Sequence, residues 1–473
     1  MPFCLYANLC EVDLMEKKLR QPGIFGQLCW DTYTVIILGF PSQPGTSRDD
    51  VLATLDKSAL KLFEAYPHLA GQVVKKGQTA TNSGRYEIVP YPPHDGKTPV
   101  LRKDCTELCP TYDDILKADA PFAMLDGDIL CPVKGMGYAY EAGTEMPVFV
   151  AQANSVQGGM LLCLASMHNA LDMNGQGTVL KMFATAGRGE ELDPKLIAVG
   201  EEKDADTIIP LLKPGEPSAN HDSMRRPSTL QAAGQRQQPE QKKKDPPKSC
   251  SWTYWRFSAQ NLADLKKEAS SGRTWVSTND ALTAFLAQRL TAVRIREGRV
   301  LKDEIVQFQR PVDSRSVLNP PVEEGYLGHL VALADIPWKT AEELVTASFA
   351  DVAIRHREAL KQVDDHFVRS LATLIHNTED KTTIFYGVGN KAGRDFLCSS
   401  WAQLHWLSAC DFGKGLGAPD FVRRARMSPV PDLSYIMPKN RHGDMHLALS
   451  LFHEDWVGLA NDKLWLQRAE LVG

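Results

Sequence analysis

A mixed α/β protein built in two halves is the fold class this sequence predicts. Three observations lead there. Short β-branched or aromatic runs alternate with segments of helical period along the chain. The length of 473 residues suits two or three domains. A polar, proline-flanked stretch then divides the chain, so the expected organisation is an N-terminal domain over 1–213, a flexible crossover over 214–250 and a C-terminal domain over 251–473.

The elements follow in order. Asp31-Thr-Tyr-Thr-Val-Ile-Ile-Leu-Gly-Phe40 is β-branched and aromatic and reads as a strand. Thr46 or Ser47 can cap the next helix, Asp49 to Ala65, in which Val51, Leu55, Ala59, Leu62 and Phe63 recur at helical spacing. Tyr66-Pro67 stops it, and Leu69 to Val74 starts another strand. Met160 to Met167, Met-Leu-Leu-Cys-Leu-Ala-Ser-Met, is an apolar run of strand length. From Pro214 to Lys248, Pro, Gln, Lys and Glu dominate, and such a segment cannot bury a core. The second half reopens with a strand at Trp252 to Phe257 and a helix at Ala259 to Ser270. Strands and helices mixed in this way fit sheets covered by helices, with a ligand site expected between the halves.

Composition narrows the function classes. With 43% hydrophobic and 23% charged residues the chain is ordinary globular protein. A net charge of −5 and a pI near 6.2 argue against a nucleic-acid partner. The longest basic run, Lys242-Lys243-Lys244, sits in the crossover and reads as solvated. No apolar run approaches the ~20 residues of a membrane span, and no secretory signal opens the chain, so a cytoplasmic location without membrane contact is expected. Ten scattered cysteines read as reduced thiols, and Cys105-x3-Cys109 lacks histidine partners for zinc, so no metal is expected.

The chemistry-bearing candidates cluster at the end of the Met160–Met167 run. It is followed by His168-Asn-Ala-Leu-Asp172 and then by Gly175 and Gly177. An imidazole at a strand end can reach a substrate while the core holds it, and it is the side chain best suited to taking a proton near pH 7. The alternative is a histidine satisfied by a backbone carbonyl. A second H-x-x-x-D, His376 to Asp380, lies in a polar stretch and reads as a solvated helix end. Near the C-terminus stand Ser399-Ser400-Trp401 and Asp411-Phe-Gly-Lys-Gly-Leu-Gly-Ala-Pro419, the latter a tight loop whose glycines suit positive φ or close backbone approach.

Together these residues resemble the BAHD family of coenzyme-A-dependent acyltransferases, which carry H-x-x-x-D in mid-chain and D-F-G-W-G near the C-terminus. His168 to Asp172 matches the first in full, and Asp411 to Gly415 matches the second at four of five positions. Four further segments fall in family-like order: Tyr66 to Gly71, Ser277-Thr278-Asn-Asp-Ala-Leu282, Val312-Asp-Ser-Arg315 and Tyr326-Leu-Gly328. Within the family the resemblance is to the fungal trichothecene 3-O-acetyltransferases, through Val276 to Phe285, Ser399 to Trp401, Asp411 to Arg424, Met437 to Lys439 and Ala448 to Leu451. Lys414 replaces the family tryptophan, and His329 replaces the asparagine that often follows Y-x-G. The fungal branch tends to lack that tryptophan, so the first departure suits it.

The resemblance implies two chloramphenicol-acetyltransferase-like domains, each a mixed sheet with helices, and an active-site channel between them. It implies acetyl-CoA as co-substrate with no permanently bound cofactor, a small-molecule alcohol as acceptor, and a monomer. His168 would take the acceptor's hydroxyl proton in a direct transfer within a ternary complex. Asp172 is a second catalytic carboxylate or a structural partner; the resemblance favours structure, with Arg315 as its mate. Ser399 is an oxyanion donor or a buried hydroxyl bonded to backbone. Asp411, Gly413 and Gly415 would secure the domain interface. Ser277 and Thr278 contact coenzyme A or simply cap a helix. The acceptor expected is a trichothecene-like sesquiterpenoid alcohol of a fungus. Another alcohol or amine acceptor (alkaloid, polyketide), another acyl-CoA, a thioester hydrolase and a non-catalytic binding module of the same fold stand as alternatives.

Overall fold

Period-two alternation decides what each strand faces, and two sheets result. The computed structural model describes residues 20–29, 31–91, 99–136, 138–141, 143–201, 207–228, 249–271, 274–385 and 392–473. Its strands are β1 (Tyr33–Pro41), β2 (Gly71–Lys76), β3 (Arg85–Pro90), β4 (Val100–Asp104), β5 (Phe149–Val156), β6 (Gly159–Met167), β7 (Cys250–Phe257), β8 (Val306–Asp313), β9 (Val331–Trp338), β10 (Phe396–Ser400), β11 (Phe421–Arg423), β12 (Leu433–Ile436), β13 (Met445–Phe452) and β14 (Glu470–Leu471). The helices that matter here are α1 (Arg48–Ala65), α2 (Met173–Gly187), α3 (Ala259–Ala269), α4 (Thr278–Arg296), α5 (Phe349–Lys361), α6 (Asp365–Asn377) and α7 (His453–Ala460).

The first sheet has the order β11-β1-β6-β5-β4 and the second β14-β7-β13-β12-β10-β8-β9. β1 and β6 run antiparallel from Tyr33 opposite Met167 to Pro41 opposite Gly159. Every residue of β6 is buried, as expected for a central strand covered on both faces. α1 and α2 share a core with this sheet: Leu52, Leu55, Ala59 and Leu62 meet Val179, Leu180 and Phe183. Ser47 caps α1 through a reciprocal capping box with Asp50. The strand expected from Leu69 begins two residues later, because Pro67–Ala70 forms a 3₁₀ turn first.

In the second sheet one face carries Trp255, Phe257, Phe396, Cys398, Leu447 and Leu449 into a core with α3, α4, α5 and α7. The alternate residues Tyr254, Leu397, Leu433, Tyr435 and Ala448 belong instead to the core of the first sheet. One strand therefore serves both cores, and its even and odd positions point to different halves.

Two features depart from a simple partition at the crossover. β11 comes from the second half of the chain but completes the first sheet, pairing Phe421 with Gly39 and Arg423 with Ile37. The crossover expected over 214–250 makes specific contacts in its opening part. Residues 214–228 dock on α6: the Ala219 N–H donates to Ser370 Oγ at 2.8 Å, His221 Nε2 lies 2.9 Å from the same oxygen, and Glu216 pairs with Arg369 at 2.8 Å. The polar face of α6 supplies these partners, which composition alone cannot foretell. The rest of that expectation, residues 229–248, lies outside the described residues.

Candidate active site

The site starts where β6 ends. The backbone N–H of His168 donates to the Thr32 carbonyl at 2.8 Å, which holds the turn against β1. The His168 Nδ1–H donates to the Leu171 carbonyl at 3.2 Å. A carbonyl can only accept, so in the neutral ring Nδ1 carries the hydrogen and Nε2 keeps its lone pair. The ring is half-buried and lines a cavity of about 100 Å³ between the two sheets. Burial lowers the His168 pKa below the ordinary imidazole value; the Leu171 carbonyl and Asp172 oppose this, and the Arg424 charge adds to it. A bare, neutral Nε2 at an apolar cavity wall is a competent general base.

Asp172 does different work. Four residues after the histidine it is the N-cap of α2, and its Oδ1 accepts from the Gly175 N–H at 2.9 Å. Arg315 grips the same carboxylate in a fork, at 2.8 and 3.0 Å, and the Leu330 N–H adds a bond at 2.9 Å. The carboxylate is fully buried. Burial raises its pKa, but Arg315 and the remaining donors outweigh that and hold it below the usual carboxylate range. Its lone pairs are thus committed to Arg315 and two backbone amides. Arg315 extends the network to Asp313 at 2.8 Å and to the carbonyls of Tyr326 and Gly328. Gly175 is required here, since a Cβ would strike the Leu327 carbonyl.

Ser399 comes into the same cavity by strand alternation: Phe396 and Cys398 enter the C-terminal core, while Leu397 and Ser399 face His168 across the gap. The other candidates lie elsewhere. Asp411 accepts from the Gly413 N–H at 2.8 Å, and its own carbonyl accepts from Arg188 at 2.7 Å. Gly413 has φ +103°, and a Cβ on it would meet the Gly187 carbonyl; Gly415 has φ +85° and abuts Thr46 and Val51. The loop thereby clasps the end of α2 and the start of α1. The Ser277 hydroxyl is consumed by capping α4, donating to Asp280 at 2.7 Å and accepting from the Asp280 N–H at 3.1 Å and from Arg357 at 2.9 Å. Thr278 is the first residue of α4, and neither residue lines the His168 cavity. His376, of the second H-x-x-x-D, is exposed near the end of α6.

Three residues with chemistry were not assigned a role by sequence reasoning. His329, seen only as a departure from asparagine, sits 5.0 Å from His168 ring to ring, and its Nδ1–H donates to the His168 carbonyl at 3.2 Å. Burial and the neighbouring His168 push its pKa down to about 3, so it stays neutral. Cys29 lies beside both; Cys29, His168 and His329 each place one ligand atom within 4.8 Å of the others, a set that could hold a soft divalent ion only by occupying the base. Arg424 also lines the cavity. The one available signal for it was a paired arginine, Arg423-Arg424, in an otherwise apolar segment.

The chain is similar to known transferases over most of its length. Residues 32–187 match the Trichothecene 3-O-acetyltransferase-like N-terminal domain, and residues 125–463 match the Transferase family. The O-acyltransferase pigD of Monascus ruber is 35% identical over 476 residues, spanning 97% of this chain and 100% of its own. The O-acetyltransferase epaC of Aspergillus niger is 34% identical over 470 residues, spanning 97% and 98%. The crystal structure of F. sporotrichioides TRI101 complexed with coenzyme A and T-2 superposes with a TM-score of 0.85 at 28% identity, covering 96% of this chain and 99% of that one. Vinorine synthase shares the fold at a TM-score of 0.64 and 16% identity.

Proposed function

The chain belongs to the Transferase family and is an acyltransferase, and from that premise we propose that it moves an acetyl group from acetyl-CoA to a hydroxyl of a fungal secondary metabolite, with His168 as general base. The observation that carries this reading is the bare Nε2 of His168 at the wall of the cavity between the sheets. Nε2 takes the acceptor's hydroxyl proton as the oxygen attacks the thioester carbonyl carbon. The C–S bond then breaks, and the imidazolium returns the proton to the departing thiolate. The Ser399 hydroxyl donates to the carbonyl oxygen as its charge develops. Asp172 takes no proton; with Arg315 it holds the loop that aims the ring.

A trichothecene-like sesquiterpenoid alcohol is the acceptor supported by the N-terminal match over 32–187. A different acceptor is supported by the 34–35% identical relatives, which are named simply as O-acyl- or O-acetyltransferases. We read the protein as a cytoplasmic monomer. No disulfide joins its described cysteines, and no described helix is long and apolar enough to cross a membrane.

The test is thiol release from acetyl-CoA across a panel of fungal alcohols, trichothecenes included, with His168→Ala as control. Release that needs both acceptor and His168 is expected, with the variant down about 10²- to 10⁴-fold. Release without an acceptor would make the protein a hydrolase, and near-normal turnover in the variant would remove His168 from the mechanism.

A further inference from the structure

The His168 cavity holds a buried cation that no carboxylate answers. Arg424 is only 4% exposed, and its guanidinium carbon lies 3.9 Å from the ring centroid of Tyr435 and 5.0 Å from that of Trp401. Three other buried arginines face an acid, Arg294 with Asp455 at 3.0 Å, Arg310 with Asp280 at 2.7 Å and Arg423 with Asp119 at 2.7 Å, as does the half-buried Arg315 with Asp172 at 2.8 Å. Among the described residues Arg424 has no such partner, and no described oxygen accepts from its guanidinium. The nearest carboxylate to the catalytic ring, Asp172, is already taken by Arg315.

A cation removed from water and left unpaired is strongly unfavourable unless something bound to the protein completes it. The two rings, whose centroids are 5.3 Å apart, sit side by side against the guanidinium, and its N–H groups, with no described acceptor oxygen, remain for a ligand; a planar fork of donors suits a bidentate oxygen anion. The remaining lining is largely apolar: Met136, Met173, Pro311, Val331, Leu333 and Leu397 among others. Of the two substrates, the thioester end that reaches His168 is neutral. The anion must then come from the acceptor.

We propose that Arg424 anchors the acceptor, and that the acceptor carries an acidic oxygen, a carboxylate or an ionised enol, close to the hydroxyl that is acetylated. The inference rests on the acyltransferase reading above and moves the acceptor away from neutral sesquiterpenoid alcohols. It also couples binding to chemistry. The groups around His168 are Asp172, Arg424, His329, Cys29 and the hydroxyls of Tyr33 and Tyr435. His329 is uncharged; of the two charges that act on the ring, Asp172 makes it more basic and Arg424 makes it less so. An anion on Arg424 cancels that charge and makes His168 more basic once the acceptor is seated.

The experiment is equilibrium binding to the full chain, in the presence of coenzyme A, of 2-naphthoate, of the dimedone enolate and of neutral 2-naphthylmethanol at neutral pH. Wild type is expected to bind one or both anions at least roughly tenfold tighter than the alcohol. Which anion wins separates carboxylate from enol. Arg424→Gln should equalise anion and alcohol, and Arg424→Lys should retain part of the preference. Coenzyme A affinity should be unchanged in both variants, which also reports that they fold. Equal binding of anions and alcohol by wild type, or no measurable binding of either anion, overturns the proposal. So does a Gln variant that keeps the preference, or one that loses turnover equally with acidic and neutral acceptors, since that marks a role at the thioester oxyanion. Anion preference without any acetyl transfer would leave the anchor standing and sink the acyltransfer reading instead.

Discussion

Replacing Asp172 by Asn should weaken the protein far more through structure than through chemistry. The substitution keeps the volume and one carbonyl oxygen but deletes the charge, and its NH₂ must face a donor. The wild-type carboxylate accepts from Arg315 at 2.8 and 3.0 Å, from Leu330 N–H at 2.9 Å and from Gly175 N–H at 2.9 Å. Breaking a buried, hydrogen-bonded ion pair costs about 3–5 kcal/mol. Arg315 keeps Asp313 and the carbonyls of Tyr326 and Gly328, so the lower end applies, about 3 kcal/mol. Arg315→Gln should cost a similar amount. If the two acted independently the double variant would lose about 6 kcal/mol; because they share one interaction it should lose only about 3–4, a coupling of about 2–3 kcal/mol.

Two sheets with separate cores, one of them facing both, need not unfold in one step, so the measurement should be local. Amide exchange at Gly175 and Leu330, whose N–H groups donate to this carboxylate, reads the effect directly, with thermal unfolding alongside. Strictly additive single variants, or wild-type protection in Asp172→Asn, would refute the pairing. The pH sign is fixed too. The folded pKa lies below the unfolded one, so the stabilisation is present above the ordinary carboxylate range and is lost as pH falls through the folded value. In the Asn variant that acid sensitivity should vanish.

Other outcomes follow from the same geometry. Because burial lowers the His168 pKa, the acid limb of kcat/KM should fall below about 6.5 with a plateau through neutrality; a limb at or above that value contradicts the assignment. Ser399→Ala should lose about 10²-fold in kcat with acetyl-CoA KM little changed, and wild-type kcat would deny the hydroxyl an oxyanion role. Gly413→Ala forces a side chain into φ +103° and against the Gly187 carbonyl, so stability should drop by about 2 kcal/mol or more; an unchanged Tm would show that the loop yields.

Much of the fold was readable because local rules coincide with global ones. Tyr33–Pro41 and Met160–Met167 declare themselves by β-branching and apolar content, and the helix ending at Ala65 by its apolar period; that Ser47 and not Thr46 caps it came from the structure. The docking of residues 214–228 was not readable. Its partners, Ser370 and Arg369, lie about 150 residues away on α6, and a polar segment that binds a polar helix face has the same composition as one that does not. Asp172 and Arg315 were paired by resemblance to relatives; spacing along the chain could never have paired residues 143 positions apart.

The amino-acid sequence by itself determined that a histidine ends a buried strand with a carboxylate four residues on, since strand period acts over a few residues. Only the tertiary structure decided which proton sits on that histidine, that Ser399, His329 and Arg424 share its cavity, and that Ser277 is spent on its own helix. Those are relations between side chains brought together by the packing of two sheets, where Coulomb and hydrogen-bond energies depend on distances through space and burial, neither of which is written along the chain.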